Sequence, residues 1–495
     1  MRFTKIIATI GPTSRSEEVL ARLVSAGMNV ARINFGYGTR PEHKETLKRL
    51  RKVSKALRTP VAVLTDLAGP KIRVGRLEGG VIELKERALL RISRDGKPGT
   101  SKEISTTYPA LIGDLKRGQT ILFDDGRLEV KITRKTRDYL LTRVIRGGVL
   151  KEHKGVNVPG AKLSIPSVTE KDRKDLRWAA KAGVEYIGVS FVRSPKDIRL
   201  VKRLLRAQGS SARVIAKIEK PEALDDLEEI IRLSDGVMVA RGDLGVEMDV
   251  EEVPLVQKRI LRLSSRLDKP SIVATQMLQS MVENPQPTRA EVSDVAGAVF
   301  DGADALMLSA ETAIGKYPVK AVRTAAKVIE KVDEYQREID ARPIELLIDP
   351  LYFAADALSH GAYQIARDAR ARLVVISSQS GATALFFSKY RLYLPAVAIS
   401  DDLYAVARMS LYWGITPIYL RGAKTPEELL RSAEKVAVRQ DWLKKNDLIV
   451  LVAGTPLGKA GTTDTIKLCR ARLDFRTDGR KPRKKSGARK KRRGR

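Results

Sequence analysis

The sequence predicts an α/β protein whose main part is a parallel (β/α)8 barrel of the TIM type. Short apolar runs, each too short for a helix, alternate with helical patterns across the first two thirds of the chain. Polar residues that could carry chemistry follow the ends of several runs. This favours a closed barrel over an open doubly wound sheet, because a barrel gathers its strand ends at one mouth. The eight runs cover residues 5–10, 28–35, 61–67, 186–192, 214–218, 236–240, 272–277 and 305–308.

Helix signals lie between these runs. Ser14 and Glu17 have the spacing of a capping box, and Ser194, which precedes a proline, predicts another helix start. Gly209 could end that second helix. A third helix is predicted over residues 169–183.

The pattern changes between the third and fourth runs, from residue 73 to residue 166. Alternating apolar runs at 80–84 and 89–92 are separated by glycine-containing turns, and no amphipathic helix of any length is predicted. This pattern is typical of a small β-barrel domain inserted into a loop of the main barrel. The predicted domains are therefore the barrel (1–72 and 167–340), the insert (73–166), a C-terminal domain (341–475) and a basic tail (476–495).

The C-terminal domain is predicted to be a smaller α/β unit. A helix over 352–370 is followed by strands that alternate with helices. The predicted strands are 373–377, 396–400, 417–419 and 448–452.

A loop of small hydroxyl residues follows the first strand of this domain. Hydroxyls and free backbone N–H groups at a helix start can bind an anion, although an ordinary capped helix start explains the pattern equally well. The candidate anion-binding residues in this loop are Ser378, Ser380, Gly381 and Thr383. The later stretch 454–460 is not a nucleotide P-loop, because its spacing is one residue short and no Ser or Thr follows Lys459.

Composition limits the classes of protein that the chain can belong to. No run approaches the roughly 18 apolar residues of a membrane span, and the N-terminus lacks the features of a signal peptide. A single cysteine, Cys469, excludes an internal disulfide framework and fits a cytoplasmic protein. The three histidines are widely spaced, so a His-cluster metal site is not expected.

The formal net charge of +33 is concentrated in part at the C-terminus. Residues 476–495 are rich in Lys and Arg, contain one acidic residue, Asp478, and have no apolar periodicity. We expect this tail to be disordered. It is either simply solvated or able to bind nucleic acid weakly and in a salt-sensitive manner.

The stretch 216–247 contains the strongest candidate site. It has a strand–helix–strand pattern, so the carboxyl ends of its two parallel strands should lie side by side. Lys217 and Glu219 point to the same face, and Asp243 is expected to end the neighbouring strand. Two carboxylates beside a lysine suit Mg²⁺ and a bound phosphate. Spacing alone also fits an ordinary salt bridge, which is the commoner arrangement.

Further candidates lie at the ends of other predicted strands. Arg32 and Asn34 are two residues apart on one strand and should face the mouth together. Arg32 could bind a phosphate with its planar fork, and Arg73, just beyond the third run, could do the same. Thr275 ends the seventh run with a hydroxyl. A lone arginine usually makes a structural ion pair, but two near the paired carboxylates favour a phosphate site.

Six blocks of sequence, in order, resemble the pyruvate kinase family. The central one is A-K-I-E followed by V-M-V-A-R-G-D-L-G-V-E, within 216–247. The others are T-K-I-I-A-T-I-G-P (4–12), M-N-V-A-R-I-N-F (28–35), A-T-Q-M-L (274–278), P-T-R-A-E-V-S-D-V-A (287–296) and D-G-A-D-A-L-M-L-S-A-E-T (301–312).

The resemblance implies transfer of a phosphoryl group from phosphoenolpyruvate to ADP, which gives pyruvate and ATP. Glu219 and Asp243 would hold Mg²⁺ or Mn²⁺, and Lys217 would stabilise the transferred group and the enolate. The insert would be a lid that closes over the nucleotide. A homotetramer and a phosphorylated effector in the C-terminal domain are also implied.

The resemblance assigns roles to further residues. Lys217, Arg32, Arg73 and Thr275 would be catalytic; Arg32, Gly242, Asp243 and Thr275 would bind the substrate; Pro12, Asn34, Arg73 and Lys154 would bind the nucleotide.

One departure from the common family pattern concerns potassium. Asn34 and Asp66 match two of the residues that hold K⁺ in many relatives, but Gly36 and Leu67 stand where a Ser and a Thr are expected. Lys71 stands where K⁺-requiring relatives carry Glu. The chain thereby resembles the K⁺-independent, archaeal or thermophile-like branch. The ammonium of Lys71 would replace the ion at a vestigial site, so K⁺ would not be required.

Two other classes of protein remain as alternatives. A barrel lyase or aldolase that forms a Schiff base could explain Lys217, but not the lid or the paired carboxylates. A nucleic-acid-binding protein could explain the charge. It would require binding by residues 1–475 as well, where no aromatic-rich surface is evident.

Overall fold

A computed structural model of the chain describes residues 1–339, 353–459 and 461–473. Eight parallel strands close into a barrel in which each strand pairs with its neighbours in the chain and the first pairs with the eighth. This confirms the predicted fold and all eight predicted runs. The barrel strands are Lys5–Thr9, Val30–Asn34, Ala62–Asp66, Tyr186–Val189, Arg213–Ile218, Gly236–Ala240, Ser271–Ala274 and Ala305–Leu308.

Helices surround the barrel because their apolar faces pack on the outer faces of the strands, in one continuous buried cluster. The helices are Glu17–Ala26, Arg40–Leu57, Glu170–Ala182, Pro195–Arg206, Leu227–Leu233, Arg241–Glu247, Val253–Arg266, Arg289–Phe300, Ala310–Ala313 and Pro318–Glu338. Short 3₁₀ turns cover Pro221–Leu224, Val250–Glu252 and Gln279–Val282.

Three helix signals can be compared with the structure. The predicted capping box at Ser14 is wrong, because the Ser14 hydroxyl accepts from the Gly11 N–H and Ser16 caps the helix instead. The boxes at Thr169 and Ser194 are present. The helix that begins after Ser194 ends at Arg206, three residues before Gly209.

The insert is a β domain, as predicted. A six-stranded sheet has the order Val156–Asn157, Thr120–Phe123, Leu128–Lys135, Tyr139–Arg146, Leu89–Ser93, Glu103–Ser105, and Gly148–Lys151 pairs with Val81–Leu84 in a separate ribbon. Its helical segments are only Glu78–Gly80 and Leu111–Asp114 among the described residues. A compact apolar core of its own fills the domain, so it can move as a unit on its two connections to the barrel.

The C-terminal domain has a five-stranded sheet in the order Ile415–Tyr419, Ala396–Ser400, Leu373–Ser377, Leu448–Gly454, Thr463–Arg470. The first four strands are parallel and match the prediction. The last is antiparallel and was not predicted. Its helices are Phe353–Asp368, Ala382–Lys389, Leu403–Met409 and Pro426–Arg439. The predicted domain boundary at residue 341 and the basic tail lie outside the described residues.

The amino-terminal end of the barrel packs on this C-terminal domain. One buried apolar cluster includes Tyr186 and Met238 of the barrel interior and Met409 and Tyr412 of the C-terminal domain. The Tyr186 hydroxyl donates to the Arg408 carbonyl at 2.8 Å. The opposite, carboxyl end of the barrel therefore remains open beneath the insert. No helix in the described part of the chain is long and apolar enough to cross a membrane.

Candidate active site at the barrel mouth

Lys217 lies at the centre of a buried charged cluster at the carboxyl end of the fifth barrel strand. Its Nζ is 2.7 Å from Glu219 Oε1 and 3.3 Å from Asp66 Oδ2, and it donates to the Ser190 hydroxyl at 2.8 Å. The β-branched run of this strand keeps the backbone extended, so Lys217 and Glu219 share a face, as predicted.

The electrostatics of the cluster keep the lysine charged. Burial lowers the pKa of Lys217, but the Asp66 and Glu219 carboxylates raise it by more, so the net shift is upward. For Glu219, burial raises the pKa, Lys217 lowers it and Asp243 raises it, with a net upward shift. Lys217 is therefore a fixed ammonium. The upward shift favours the ammonium, whereas a Schiff-base mechanism requires the neutral amine.

Asp243 does not end the sixth barrel strand, which corrects the prediction. The strand stops at Ala240, and Asp243 lies in the first turn of the short helix Arg241–Glu247. Asp243 still borders the barrel mouth, because it lines the cavity between the insert and the barrel.

These carboxylates fit a hard divalent cation. Burial is the main cause of the raised pKa of Glu219, and repulsion by Asp243 adds to it, so a cation bound by both carboxylates would favour their ionised forms. The described residues contain no group of three or more His, Cys, Asp or Glu side chains arranged around a metal position. Such a two-carboxylate donor set suits Mg²⁺ or Mn²⁺, which leaves ligand positions for water and phosphate oxygens.

Arg32 is buried in an ion pair rather than extended into the cleft. Its Nε donates to Asp66 Oδ2 at 2.9 Å, and its Nη1 donates to the Thr9 hydroxyl at 3.1 Å. Burial raises the pKa of Asp66, but Arg32 and Lys217 lower it by more, so this carboxylate stays ionised. Arg32 therefore makes a structural ion pair and also lines a cavity at the barrel mouth.

Thr275 and Gly242 are joined to each other. The Gly242 N–H donates to Thr275 Oγ1 at 2.8 Å, and the Thr275 hydroxyl donates to the Ala274 carbonyl at 2.6 Å. Thr275 has a φ of 72°, a left-handed conformation that is unfavourable for a β-branched residue. Strain of this kind persists where the surroundings enforce it, often at a functional site.

The remaining predicted residues fall into two cavities at the mouth. A cavity of about 250 Å³ between insert and barrel is bordered by Arg73, Lys154, Lys71 and Asp243. A cavity of about 430 Å³ is bordered by Pro12, Arg32 and Asn34, and Tyr37 lines both. The four predicted nucleotide residues are thus divided between the two cavities.

Two cations of the first cavity already have partners within the insert. Lys154 Nζ is 2.7 Å from Asp124 Oδ1, and Arg73 Nη1 donates to the His153 carbonyl at 2.8 Å. Both side chains remain partly exposed. They can therefore exchange these contacts for a ligand at modest cost.

The proposed potassium residues are neighbours, with Lys71 apart from them. Asn34 and Asp66 are register partners on adjacent strands, and Asn34 Oδ1 accepts from the Gly36 N–H at 2.9 Å. Asp66 Oδ1 is buried and has no hydrogen-bond partner within the described residues. Lys71 is exposed, and its charge lowers the pKa of Glu219.

The predicted effector loop borders a cavity of about 300 Å³ in the C-terminal domain. Gly381, with φ of 85°, precedes the helix Ala382–Lys389, and the Ser378 and Ser380 hydroxyls accept from backbone N–H groups at its start. Thr383 Oγ1 lies 2.8 Å from Thr463 Oγ1. The opposite wall includes Lys459 from the stretch that resembles a P-loop only superficially.

Sequence reasoning missed several residues at the mouth. Ser190 bonds to Lys217, and the Phe191 N–H donates to Glu219 Oε2 at 2.8 Å. Glu247 is buried, with Lys220 Nζ at 2.6 Å. Ser190 and Phe191 fall within a predicted apolar run, so only their position at a strand end could have indicated a role.

Comparisons with known proteins agree with this geometry. A family model for the pyruvate kinase barrel domain matches residues 1–322, and one for the pyruvate kinase α/β domain matches 356–469. A pyruvate kinase of Staphylococcus saprophyticus is 43% identical over 474 residues, which cover 94% of this chain and 80% of that protein. One from Staphylococcus aureus is 41% identical over 473 residues, with the same coverage.

A solved structure is similar over nearly the whole chain. The crystal structure of a pyruvate kinase from Cryptosporidium parvum superposes with a TM-score of 0.86 at 32% identity, and covers 95% of this chain and 96% of that one. Fold and site together define a phosphotransferase of the lidded (β/α)8-barrel type. The chain belongs to the pyruvate kinase family.

Proposed function

We propose that this protein transfers the phosphoryl group of phosphoenolpyruvate to ADP, and so releases pyruvate and ATP. The observation that carries the proposal is the buried Lys217–Glu219–Asp66 cluster, which lies at the barrel mouth beneath the cleft of the insert. A permanently charged lysine beside two carboxylates suits a reaction in which negative charge moves between oxygens.

Glu219 and Asp243 would hold Mg²⁺ or Mn²⁺, which supplies charge neutralisation at the transferred phosphoryl group when bound. Lys217 presents its ammonium to the oxygen that becomes the enolate. Its bonds to Glu219 and Ser190 fix the direction of the Nζ. The catalytic contribution of these residues is positioning and charge stabilisation in a buried site.

The other predicted roles are consistent with the positions of the residues. Arg32 and Arg73 would contact phosphate oxygens from opposite sides of the mouth. A substrate carboxylate would take the place of the Thr275–Gly242 hydrogen bond and receive both donors. Pro12 and Asn34 in one cavity, and Arg73 and Lys154 in the other, would bind the nucleotide.

A coupled assay of pyruvate release tests the proposal. Pyruvate should form from phosphoenolpyruvate only when ADP and a divalent cation are both present. Borohydride added with the substrate should leave the activity intact, since a charged Lys217 forms no imine. ADP-independent release of pyruvate, or inactivation by borohydride, would contradict the proposed reaction.

We propose further that the enzyme needs no K⁺ and belongs with the K⁺-independent branch of the family. Replacement of two expected oxygen donors by Gly36 and Leu67 supports this. The ammonium of Lys71 is exposed and lowers the pKa of Glu219. It would supply the positive charge that K⁺ provides in K⁺-requiring relatives.

A phosphorylated effector would bind between the Ser378–Thr383 loop and Lys459. The enzyme would be a homotetramer, which sedimentation can measure directly.

The tail 476–495 would bind nucleic acid weakly. Its deletion should leave kcat unchanged and reduce salt-sensitive retention on RNA or heparin; a fall in kcat would give the tail a structural role instead.

A further inference from the structure

The four residues that follow the fourth barrel strand, 190–193, contact both chain segments that connect the insert to the barrel. The Ser190 hydroxyl donates to the Leu67 carbonyl at 2.8 Å on the outgoing connection. Arg193 donates to the Leu163 carbonyl at 2.9 Å and to the Ile165 carbonyl at 2.7 Å on the returning one. The 190–193 turn is therefore hydrogen-bonded to both segments that connect the insert to the barrel.

The same turn also contacts the two central residues of the active site. Lys217 Nζ donates to Ser190 Oγ at 2.8 Å, and the Phe191 N–H donates to Glu219 Oε2 at 2.8 Å. One carboxylate oxygen of Glu219 therefore pairs with Lys217 Nζ, and the other accepts from the Phe191 N–H of this turn. The turn fixes the orientation of the carboxylate that would bind the metal.

Phe191 packs close to Gly69 in the outgoing connection, and its backbone N–H bonds to Glu219. Its φ of 54° is left-handed, which is unfavourable for a bulky residue and persists only when neighbours enforce it. A Cβ placed on Gly69, in the outgoing connection, would lie 2.6 Å from Phe191 Cδ2. The Gly69 N–H is itself held by Asp172 Oδ1 at 3.2 Å.

We propose that Phe191 and Arg193 are positioning residues that couple the lid connections to the orientation of Glu219, and hence to metal binding. A movement of either connection is transmitted through the 190–193 turn to the Phe191 N–H. This inference rests on the proposed role of Glu219 as a metal ligand. Neither residue needs to touch the metal for the coupling to operate.

Two glycine variants form a matched test. Gly69→Ala adds a methyl that must displace the Phe191 ring, at a backbone φ of +66°. Gly160→Ala has nearly the same strain, with φ of +68°, but its new Cβ meets nothing within 4 Å. Mn²⁺ binding in the absence of substrates, measured by electron paramagnetic resonance, should weaken about tenfold in Gly69→Ala. It should change less than about twofold in Gly160→Ala, because only the shared strain remains.

A double mutant separates the proposed coupling from general destabilisation. In a Phe191→Ala background the closest contact, with the Phe191 ring, is gone and only the 3.1 Å contact with Ser190 Cβ remains. Gly69→Ala should then weaken Mn²⁺ binding little more than Gly160→Ala does. Thermal midpoints of the two glycine variants, measured alongside, report the shared backbone strain. An equal loss of Mn²⁺ affinity with and without the Phe191 ring would overturn the coupling.

Arg193→Lys provides a second measurement, which still decides the matter if Gly69→Ala does not fold. Lysine keeps the charge but cannot span both carbonyls of the returning connection. Mn²⁺ affinity should again fall, although Arg193 makes no bond to Glu219. Unchanged affinity in this variant would contradict the inference. Failure of the unmutated enzyme to bind Mn²⁺ would instead contradict the proposed function itself.

Discussion

The Asp66 carboxylate contacts two buried cations at the barrel mouth, Arg32 and Lys217. Its Oδ2 accepts from Arg32 and lies 3.3 Å from Lys217, while Oδ1 has no partner within the described residues. The carboxylate therefore holds Arg32 and Lys217 together at the barrel mouth. The sequence assigned it to a vestigial ion site, and this second role depends on contacts with strands distant in the chain.

Lys71 provides the residue-scale prediction. Activity in K⁺-free buffer should nearly equal that with K⁺ if the Lys71 ammonium supplies the monovalent charge, as we propose. Lys71→Glu should create a dependence on K⁺ or abolish activity, since it replaces the cation with a charge that repels Glu219. Initial rates in tetramethylammonium and potassium buffers measure both effects. Strong activation of the unmutated enzyme by K⁺ would refute the assignment.

At the scale of elements, the effector loop provides a test in the C-terminal domain. Ser380→Asp introduces a negative charge into the cavity beside Lys459, so any activation by a phosphorylated metabolite should disappear. Activity without effector should stay unchanged, because the loop lies in a different domain from the mouth. Rate curves with and without fructose or ribose phosphates would measure the response. Persistence of activation in the variant would place the effector elsewhere.

The elements differ in how well the sequence predicts them. The eight barrel strands were predictable because buried parallel strands are short, continuous apolar runs. The strand Thr463–Arg470 was missed because its residues are half-exposed and largely polar, so it lacks that pattern. The helix that carries Asp243 was missed because its sequence, R-G-D-L-G-V-E, contains two glycines and little periodicity.

Among the helix starts, Ser14 fits a capping box by spacing but is used in a turn at Gly11. Local spacing cannot decide between the two, since both satisfy one backbone N–H. The order of the strands in the insert could not be predicted from the sequence either, because it depends on contacts between residues that are distant in the chain.

At the scale of the whole molecule, an ionic cluster joins the barrel to the C-terminal domain. Lys389 of the C-terminal domain is fully buried and lies 2.9 Å from Asp304 Oδ2, which belongs to the barrel. Arg391 bonds to the other oxygen at 3.0 Å. Burial raises the pKa of Asp304, but Arg391 and Lys389 lower it by more, so the net shift is downward. This cluster could not be predicted from the sequence, because Asp304 lies more than 80 residues from Lys389 and Arg391 in the chain.

Asp304→Asn should destabilise the protein by about 3–5 kcal/mol, because it leaves the Lys389 charge buried and unpaired. Asp301→Asn, which removes a surface ion pair with Lys258, should cost at most about 1 kcal/mol. Denaturant unfolding measures both. Because the folded pKa of Asp304 is lowered, its contribution is present above the unfolded pKa and is lost as the pH falls through the folded pKa. Equal losses in the two variants would contradict the role of this cluster.

If the charge of Lys217 stabilises the transition state of phosphoryl transfer, as we propose, its removal in Lys217→Met must lower kcat. Measured with phosphoenolpyruvate, ADP and Mg²⁺ in mildly alkaline buffer, kcat should fall by orders of magnitude while Mn²⁺ binding largely persists. Lys202→Met is the matched control, because it removes an ion pair with Asp235, which accepts from the Val214 N–H near the start of the strand that carries Lys217. Its kcat should be near that of the unmutated enzyme. A loss in Lys217→Met smaller than about tenfold, or 1.4 kcal/mol, would contradict the claim.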